Sequence, residues 1–293
     1  MTTALGPKDA TFEEHRSLLF GVAYRMLGSV AEAEDAVQDA YLRYRGVDGD
    51  IANPRAYLVT IVTRLCLDLL KSARVQREQY IGPWLPEPIV HRDGAPATPE
   101  EVAASEDNIS MAFLVMLEEL GPAERAVFLL REVFDYDYGD IAPMVNKSEA
   151  ACRQVFRRAR EHLAQRQHRF TANYDQRRVL TAQFLQAANE GNMAGLMQLL
   201  SADVTAYSDG GGKAVAATRP IFGPDRIARF VIGVARKDPP ALVEMADVNG
   251  VPGVLLRDRR GRVHTVMVLE LDAEGRIATV YSMRNPDKLR RIA

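Results

Sequence analysis

Arg153, Gln154, Arg157, Arg158 and Arg160 crowd into the stretch 148–163, SEAACRQVFRRAREHL. Arginine carries a planar fork of donors that pairs with phosphates or with both acceptors of a guanine edge, and glutamine bonds adenine in the same two-point manner. At 3.6 residues per turn, Cys152, Val155, Phe156, Ala159 and Leu163 make one apolar stripe, while Arg153, Arg157 and Arg160 make a second. Ser148 is placed to cap this helix, and Glu149 meets its positive end. Upstream, 140–147 reads as a short helix and a tight turn, with Pro143 either in its first turn or at a kink. A short helix, a turn and an arginine-bearing helix is the pattern of a helix-turn-helix whose second helix enters the major groove. A solvated charged face would share that periodicity, but six Arg against two Glu across 148–169 favour nucleic acid.

Other chemistry is sparser. Asp35, Gln38 and Asp39 share one helical face, with Glu34 beside it, and suit a basic groove on a protein partner. Arg55, Arg64, Lys71, Arg74 and Arg77 can neutralise phosphates. Tyr57 either stacks on an unpaired base or fills the core. Asp209-Gly-Gly-Gly-Lys213 is not a phosphate loop: Ala214 replaces the required Ser or Thr and the glycine spacing is wrong. It reads as a glycine-rich hairpin turn, with Asp209 and Lys213 free to bond to neighbouring segments. Tyr207, Asp209 and His264 are the available acid–base residues, but no paired carboxylates or Ser/His/Asp set accompany them, so catalysis is not expected. Cys66 and Cys152 fall on apolar helix faces and read as buried free thiols. Metal-ligand spacing is absent, and no cofactor is expected.

The elements that must position these residues divide the chain. Its 293 residues allow two or three domains. No run of 18 apolar residues suggests a membrane span, and no leader pattern opens the sequence, so the cytoplasm is the expected location. The net charge of −2 hides an asymmetry: 1–173 carry 20 Lys+Arg against 26 Asp+Glu, and 174–293 carry 17 against 13. Residues 8–75 read as three or four helices, broken at Gly28-Ser29 and restarted by Pro54 at a first helical position. Residues 76–107 form an acidic linker, rich in Pro and Gly, whose single Trp, Trp84, is expected to dock on a folded domain. Residues 108–172 are helical again. From 173 to 293 the pattern becomes α+β. Two helices, 179–189 and 193–200, precede strands at 204–208, 214–218, 242–248, 254–258, 262–272 and 276–283, with a third helix at 224–236. A meandering antiparallel sheet is expected.

Three motifs resemble the extracytoplasmic-function sigma factors. Ala33-Glu-Asp-Ala-Val-Gln38-Asp-Ala-Tyr-Leu42 resembles that family's polymerase-binding helix. Asn53-Pro-Arg-Ala-Tyr57-Leu followed by Leu67-Asp68-Leu-Leu-Lys71 resembles its −10 recognition helix. Leu120-Gly-Pro-Ala-Glu-Arg125, Ile141-Ala and Arg153 to Arg160 resemble region 4, which reads the −35 element. The usual Arg-Asn of the −10 helix is Thr63-Arg64 here, and Pro143 replaces a usual acid. The tail is similar to sigma factors of the SigJ type, through Trp84, Leu85, Pro86 and Glu87, through Asp209, Gly210, Gly211, Gly212 and Lys213, and through Asn285, Pro286, Asp287, Lys288 and Leu289. The resemblance implies two all-α sigma domains, a region 2 helical bundle and a region 4 helix-turn-helix, plus a C-terminal SnoaL-like cone-shaped α+β barrel. It implies core RNA polymerase and promoter DNA as partners. Region 2 would take Arg55, Tyr57, Arg64, Lys71 and Arg74 to DNA; region 4 would take Ser148, Arg153, Gln154, Arg157, Arg158 and Arg160. Glu34, Asp35, Gln38 and Asp39 would meet polymerase, and the three tail motifs would regulate in cis.

A monomer with no membrane partner is expected, and the tail cavity is a possible place for a small ligand. Two rival readings stand beside this one: a ligand-sensing helix-turn-helix regulator, and a SnoaL-like enzyme with a helical appendage. The acidic face at Asp35 counts against the first, and the unexplained helices of the first 170 residues against the second.

Overall fold

The computed structural model of this chain describes residues 6–91, 109–164 and 174–292, with backbone alone over 73–78. It contains two compact units. The first gathers residues up to Glu78 with most of 113–167; the second joins 79–95 to the C-terminal part.

In the first unit, α1 (Pro7–Leu27) ends at Gly28, whose φ of 68° turns the chain while its N–H bonds Tyr24 O at 2.7 Å. Ser29 then caps α2 (Val30–Arg45), its Oγ accepting from Glu32 N. Val30, Ala33, Ala36, Val37, Ala40 and Tyr44 form the buried stripe of α2, which leaves Asp35, Gln38 and Asp39 exposed and Glu34 half-buried. Asn53 caps α3 (Pro54–Glu78), which buries Leu58, Val59, Val62, Cys66 and Leu70. This helix continues to Glu78, beyond the expected linker start at 76. After α4 (Met111–Leu117), Pro122 opens α5 (Pro122–Glu132), and the Glu124 carboxylate accepts from Gly121 N.

The region 2 and region 4 helices lie in one unit: α1 packs on α5, and α3 packs on α5 and on α6 (Tyr138–Met144). Arg125 is buried there. It donates to Met26 O at 2.6 Å and to the Glu118 carboxylate at 2.7 Å. Burial lowers its pKa to about 10, which still leaves it charged at neutral pH.

In the second unit, α8 (Tyr174–Glu190), α9 (Met193–Leu199) and α10 (Pro224–Lys237) pack on one face of a seven-stranded sheet. (The helix between α6 and α8, α7, spans Glu149–Ala164.) Phe184, Leu196, Ile227 and Ala228 from the helices meet Val204, Ala206, Leu269, Ile277 and Val280 from the strands. The strands are β1 (Val90–His91), β2 (Leu200–Asp209), β3 (Ile221–Phe222), β4 (Leu242–Val248), β5 (Val251–Arg257), β6 (Val263–Leu271) and β7 (Ile277–Met283). Their order is β1-β4-β5-β6-β7-β2-β3.

Two expectations fail here. The sheet is mixed rather than a pure meander, because β2 runs parallel to β7, with Tyr207 opposite Tyr281 and Asp209 opposite Met283. A meander can join only neighbours, and β2 reaches its partner after the whole β4–β7 run. The stretch 214–218 is not a strand either. Lys213 N and Ala214 N both bond to Gly210 O, which coils the chain into a tight turn, and its run of alanines has low strand propensity. The glycine loop is therefore no hairpin turn. Asn249 and Gly250, with φ of 55° and 78°, do close a hairpin.

Candidate nucleic-acid interface and the Asp209 cluster

The helix-turn-helix is built as its residues dictate. Val145 N bonds to Ile141 O and Lys147 N to Ala142 O, and Asn146 takes φ 53° to turn the chain. Pro143 sits sixth of seven in α6, neither in a first turn nor at a kink: the helix starts earlier, after Asp137, and stops just beyond the proline. Ser148 Oγ accepts from Ala151 N at 3.2 Å and caps α7. Cys152, Val155, Ala159 and Leu163 are buried; Phe156 is half-buried between the rings of Phe128 and Tyr138. Arg153, Gln154, Arg157, Arg158 and Arg160 are all exposed. Tyr138, which sequence reasoning passed over, aims one of them: the Arg153 guanidinium lies 5.0 Å from its ring centroid and 3.2 Å from Glu149.

The region 2 residues are differently placed. Arg55 is exposed, with its guanidinium 5.4 Å from the Tyr136 ring. Tyr57 is half-buried, 6.4 Å from the Tyr44 ring. Lys71 pairs with Asp68 at 2.8 Å. Arg64 donates from Nη2 to Pro143 O at 2.6 Å and from Nε to Met144 O at 3.4 Å. The side chains of Arg74 and Arg77 lie outside the described residues.

The three tail motifs converge. Asp209 is fully buried, and its carboxylate takes four donors. Oδ1 accepts from the Tyr80 hydroxyl at 2.5 Å and Gly211 N at 3.0 Å; Oδ2 accepts from Leu85 N at 2.9 Å and Lys288 Nζ at 2.7 Å. The Lys288 ammonium also bonds Leu85 O and lies 4.1 Å from the Trp84 ring centroid. Asn285 Nδ2 donates to the Tyr80 oxygen at 2.8 Å, so a relay runs from Asn285 through Tyr80 to Asp209. Burial, and then the Asp209 hydrogen bond, push the Tyr80 phenol well above the usual tyrosine range. Lys213 pairs with Asp287, whose carboxyl is held below its ordinary value by that bond.

Two of the loop glycines are sterically required. A Cβ on Gly211, at φ 58°, would stand 2.2 Å from Asn285 Nδ2, and one on Gly210 would stand 2.4 Å from Ala214 O. The linker continues with Leu85, Pro86, Glu87, Pro88 and Ile89 buried, while Trp84 is only partly covered. It ends as β1 on β4, pairing Val90 with Val248. Asn249 clasps it there: its side chain accepts from Ile89 N, and its own N–H bonds Ile89 O. Tyr80 and Asn249 carried no signal beyond ordinary linker and turn residues; only the fold brings them to the cluster.

The acid–base residues do not converge. Asp209 is engaged as above, Tyr207 stacks on Tyr281 at 5.7 Å, and His264 Nδ1 lies 2.9 Å from Thr265 Oγ1. Burial, then Arg284, lower the His264 pKa. Cys66 and Cys152 are buried free thiols, both with pKa raised by burial. No helix among the described residues is long and apolar enough to cross a membrane.

Two family models match the chain, Sigma-70 region 2 over residues 11–75 and Sigma-70, region 4 over 110–163. The ECF RNA polymerase sigma factor SigJ of Mycobacterium tuberculosis (strain ATCC 25618 / H37Rv) is 37% identical over 290 residues, 94% of this chain and 91% of the relative. The chain belongs to the extracytoplasmic-function sigma factors. A probable ECF sigma factor of the same species, SigI, is 33% identical to this sigma factor across 97% of its length and 95% of the relative's. The crystal structure of M. tuberculosis SigJ superposes with a TM-score of 0.78 at 33% identity, covering 96% of this sigma factor and 98% of that chain.

Proposed function

We propose that this sigma factor binds core RNA polymerase through the acidic face of α2 and directs it to promoters, with α3 at the −10 element and α7 at the −35 duplex. It needs no chemistry of its own; bond formation belongs to the polymerase. The exposed Arg153, Gln154, Arg157, Arg158 and Arg160 on a capped second helix of a helix-turn-helix carry this reading most directly. Asp35, Gln38 and Asp39, exposed together on α2, supply the surface for a basic groove. The protein acts as a monomer in the cytoplasm.

The C-terminal domain, which we take to be SnoaL-like, acts in cis by holding the linker between the two promoter-reading regions. The four donors gathered on buried Asp209 support this, since two of them, Tyr80 and Leu85, belong to the linker. Run-off transcription with core enzyme tests the whole. Promoter-dependent transcript is expected from the full chain, and its amount should change when Asn285–Leu289 are replaced by alanines. Absence of such transcript from both full-length and tail-trimmed protein overturns the sigma-factor role. Wild-type output from the alanine variant overturns the cis role.

A further inference from the structure

The two positions where the promoter-reading regions depart from the family pattern meet in space. Arg64 stands on the exposed row of α3, and its guanidinium bonds Pro143 O and Met144 O at the C-terminal end of α6. The last carbonyls of a helix lack intrahelical partners and carry the negative end of the dipole, so a guanidinium is favoured there. Pro143 contributes by stopping α6, after which the N–H of Lys147 goes back to Ala142 O rather than to Pro143. Three more arginines span the same boundary: Arg125 to Met26 O, Arg25 over the Phe134 ring at 5.2 Å, and Arg55 over the Tyr136 ring.

This arrangement cannot read a promoter. The −10 and −35 elements lie about 25 base pairs apart, roughly 80 Å along a duplex rising 3.4 Å per pair. Arg64, on the −10 helix, is within hydrogen-bonding distance of the helix that precedes the −35 reader. We propose that Arg64 is a latch: it holds region 4 on region 2 in the free chain, and it lets go when a promoter phosphate replaces the Pro143 and Met144 carbonyls as its acceptor. The exchange is favourable because an anionic acceptor outcompetes neutral ones. Engaging the −10 strand and freeing the −35 reader thus become one event. The inference rests on the sigma-factor reading, since it needs Arg64 to meet DNA.

Full-length protein carrying spin labels at Leu42→Cys and Glu161→Cys, both exposed, reports the separation of the two regions. The unmodified latch should give one short distance. Arg64→Met should raise the longer-distance population about tenfold, the equivalent of one charge-assisted hydrogen bond, while Arg64→Lys falls between them. Arg157→Met, on the exposed face of α7, should leave the distance as it was. An Arg64→Met distribution identical to the parent overturns the latch. Should Arg64→Met fail to fold, the pair Arg64→Cys and Pro143→Cys, joined by a cleavable bismaleimide, gives an independent test. The joined protein should bind core polymerase yet make no promoter-dependent transcript until the linker is cleaved; full transcription while joined overturns the proposal. If the parent chain itself makes no promoter-dependent transcript, the sigma-factor reading falls instead, and the label distances still judge the contact.

Discussion

Asp209 is a carboxylate taken wholly out of water, and its counter-charge comes from one residue, Lys288, itself nearly buried. Removing one partner of such a pair leaves the other charge uncompensated. Lys288→Met is therefore expected to cost about 3–5 kcal/mol of stability in the C-terminal unit, read by urea denaturation. The double variant with Asp209→Asn should recover part of it, since no charge is then stranded. Tyr80 gives a pH signature. Its folded-state pKa lies above the unfolded value near 10, so its contribution is complete below about pH 10 and is lost as pH climbs toward the folded value. The parent should lose stability above about pH 10 more steeply than Tyr80→Phe, and identical profiles would discount the hydrogen bond to Asp209.

Among the elements, α7 depends on its cap. Ser148→Ala deletes the acceptor for Ala151 N and should lower stability by about 1 kcal/mol, measurable as a shift in the thermal transition of the helical unit. That cap, the buried stripe beneath it and the exposed arginines were all legible in sequence, because a helix writes its burial at a fixed local period. So were the Gly28 and Pro54 boundaries, where φ preference acts on single residues. The parallel pairing of β2 with β7 was not, since register between strands about 70 residues apart leaves no local trace. The strand expected at 214–218 failed because three successive backbone turns from Gly210 outweigh the weak pull of alanine and valine toward extension. The linker's docking was legible through Trp84, but the burial falls mainly on the residues after it, Leu85 to Ile89, and the anchoring bonds come from Asp209 and Asn249. Hydrogen bonds that span 124 or 160 positions cannot be inferred from composition.

At the scale of the whole molecule, the linker residues 79–95 belong with the C-terminal unit rather than with the helices they connect. Stepwise trimming from the C-terminus should therefore act abruptly. Loss of Arg290 and the residues after it leaves the Asp209 bonds in place, whereas a cut that takes Leu289 and Lys288 should release the linker at once. Amide exchange at Leu85, whose N–H is held by Asp209, would report it, and a gradual rise from the first cut would contradict this account. The same convergence bears on how such a chain can be recombined. Stretches 80–85, 209–211 and 285–288 meet on one carboxylate, so a C-terminal domain transplanted from a relative at the apparent boundary near 173 would arrive without its own linker. A working graft must carry two separate pieces of chain, and inheritance must keep or discard all three stretches together.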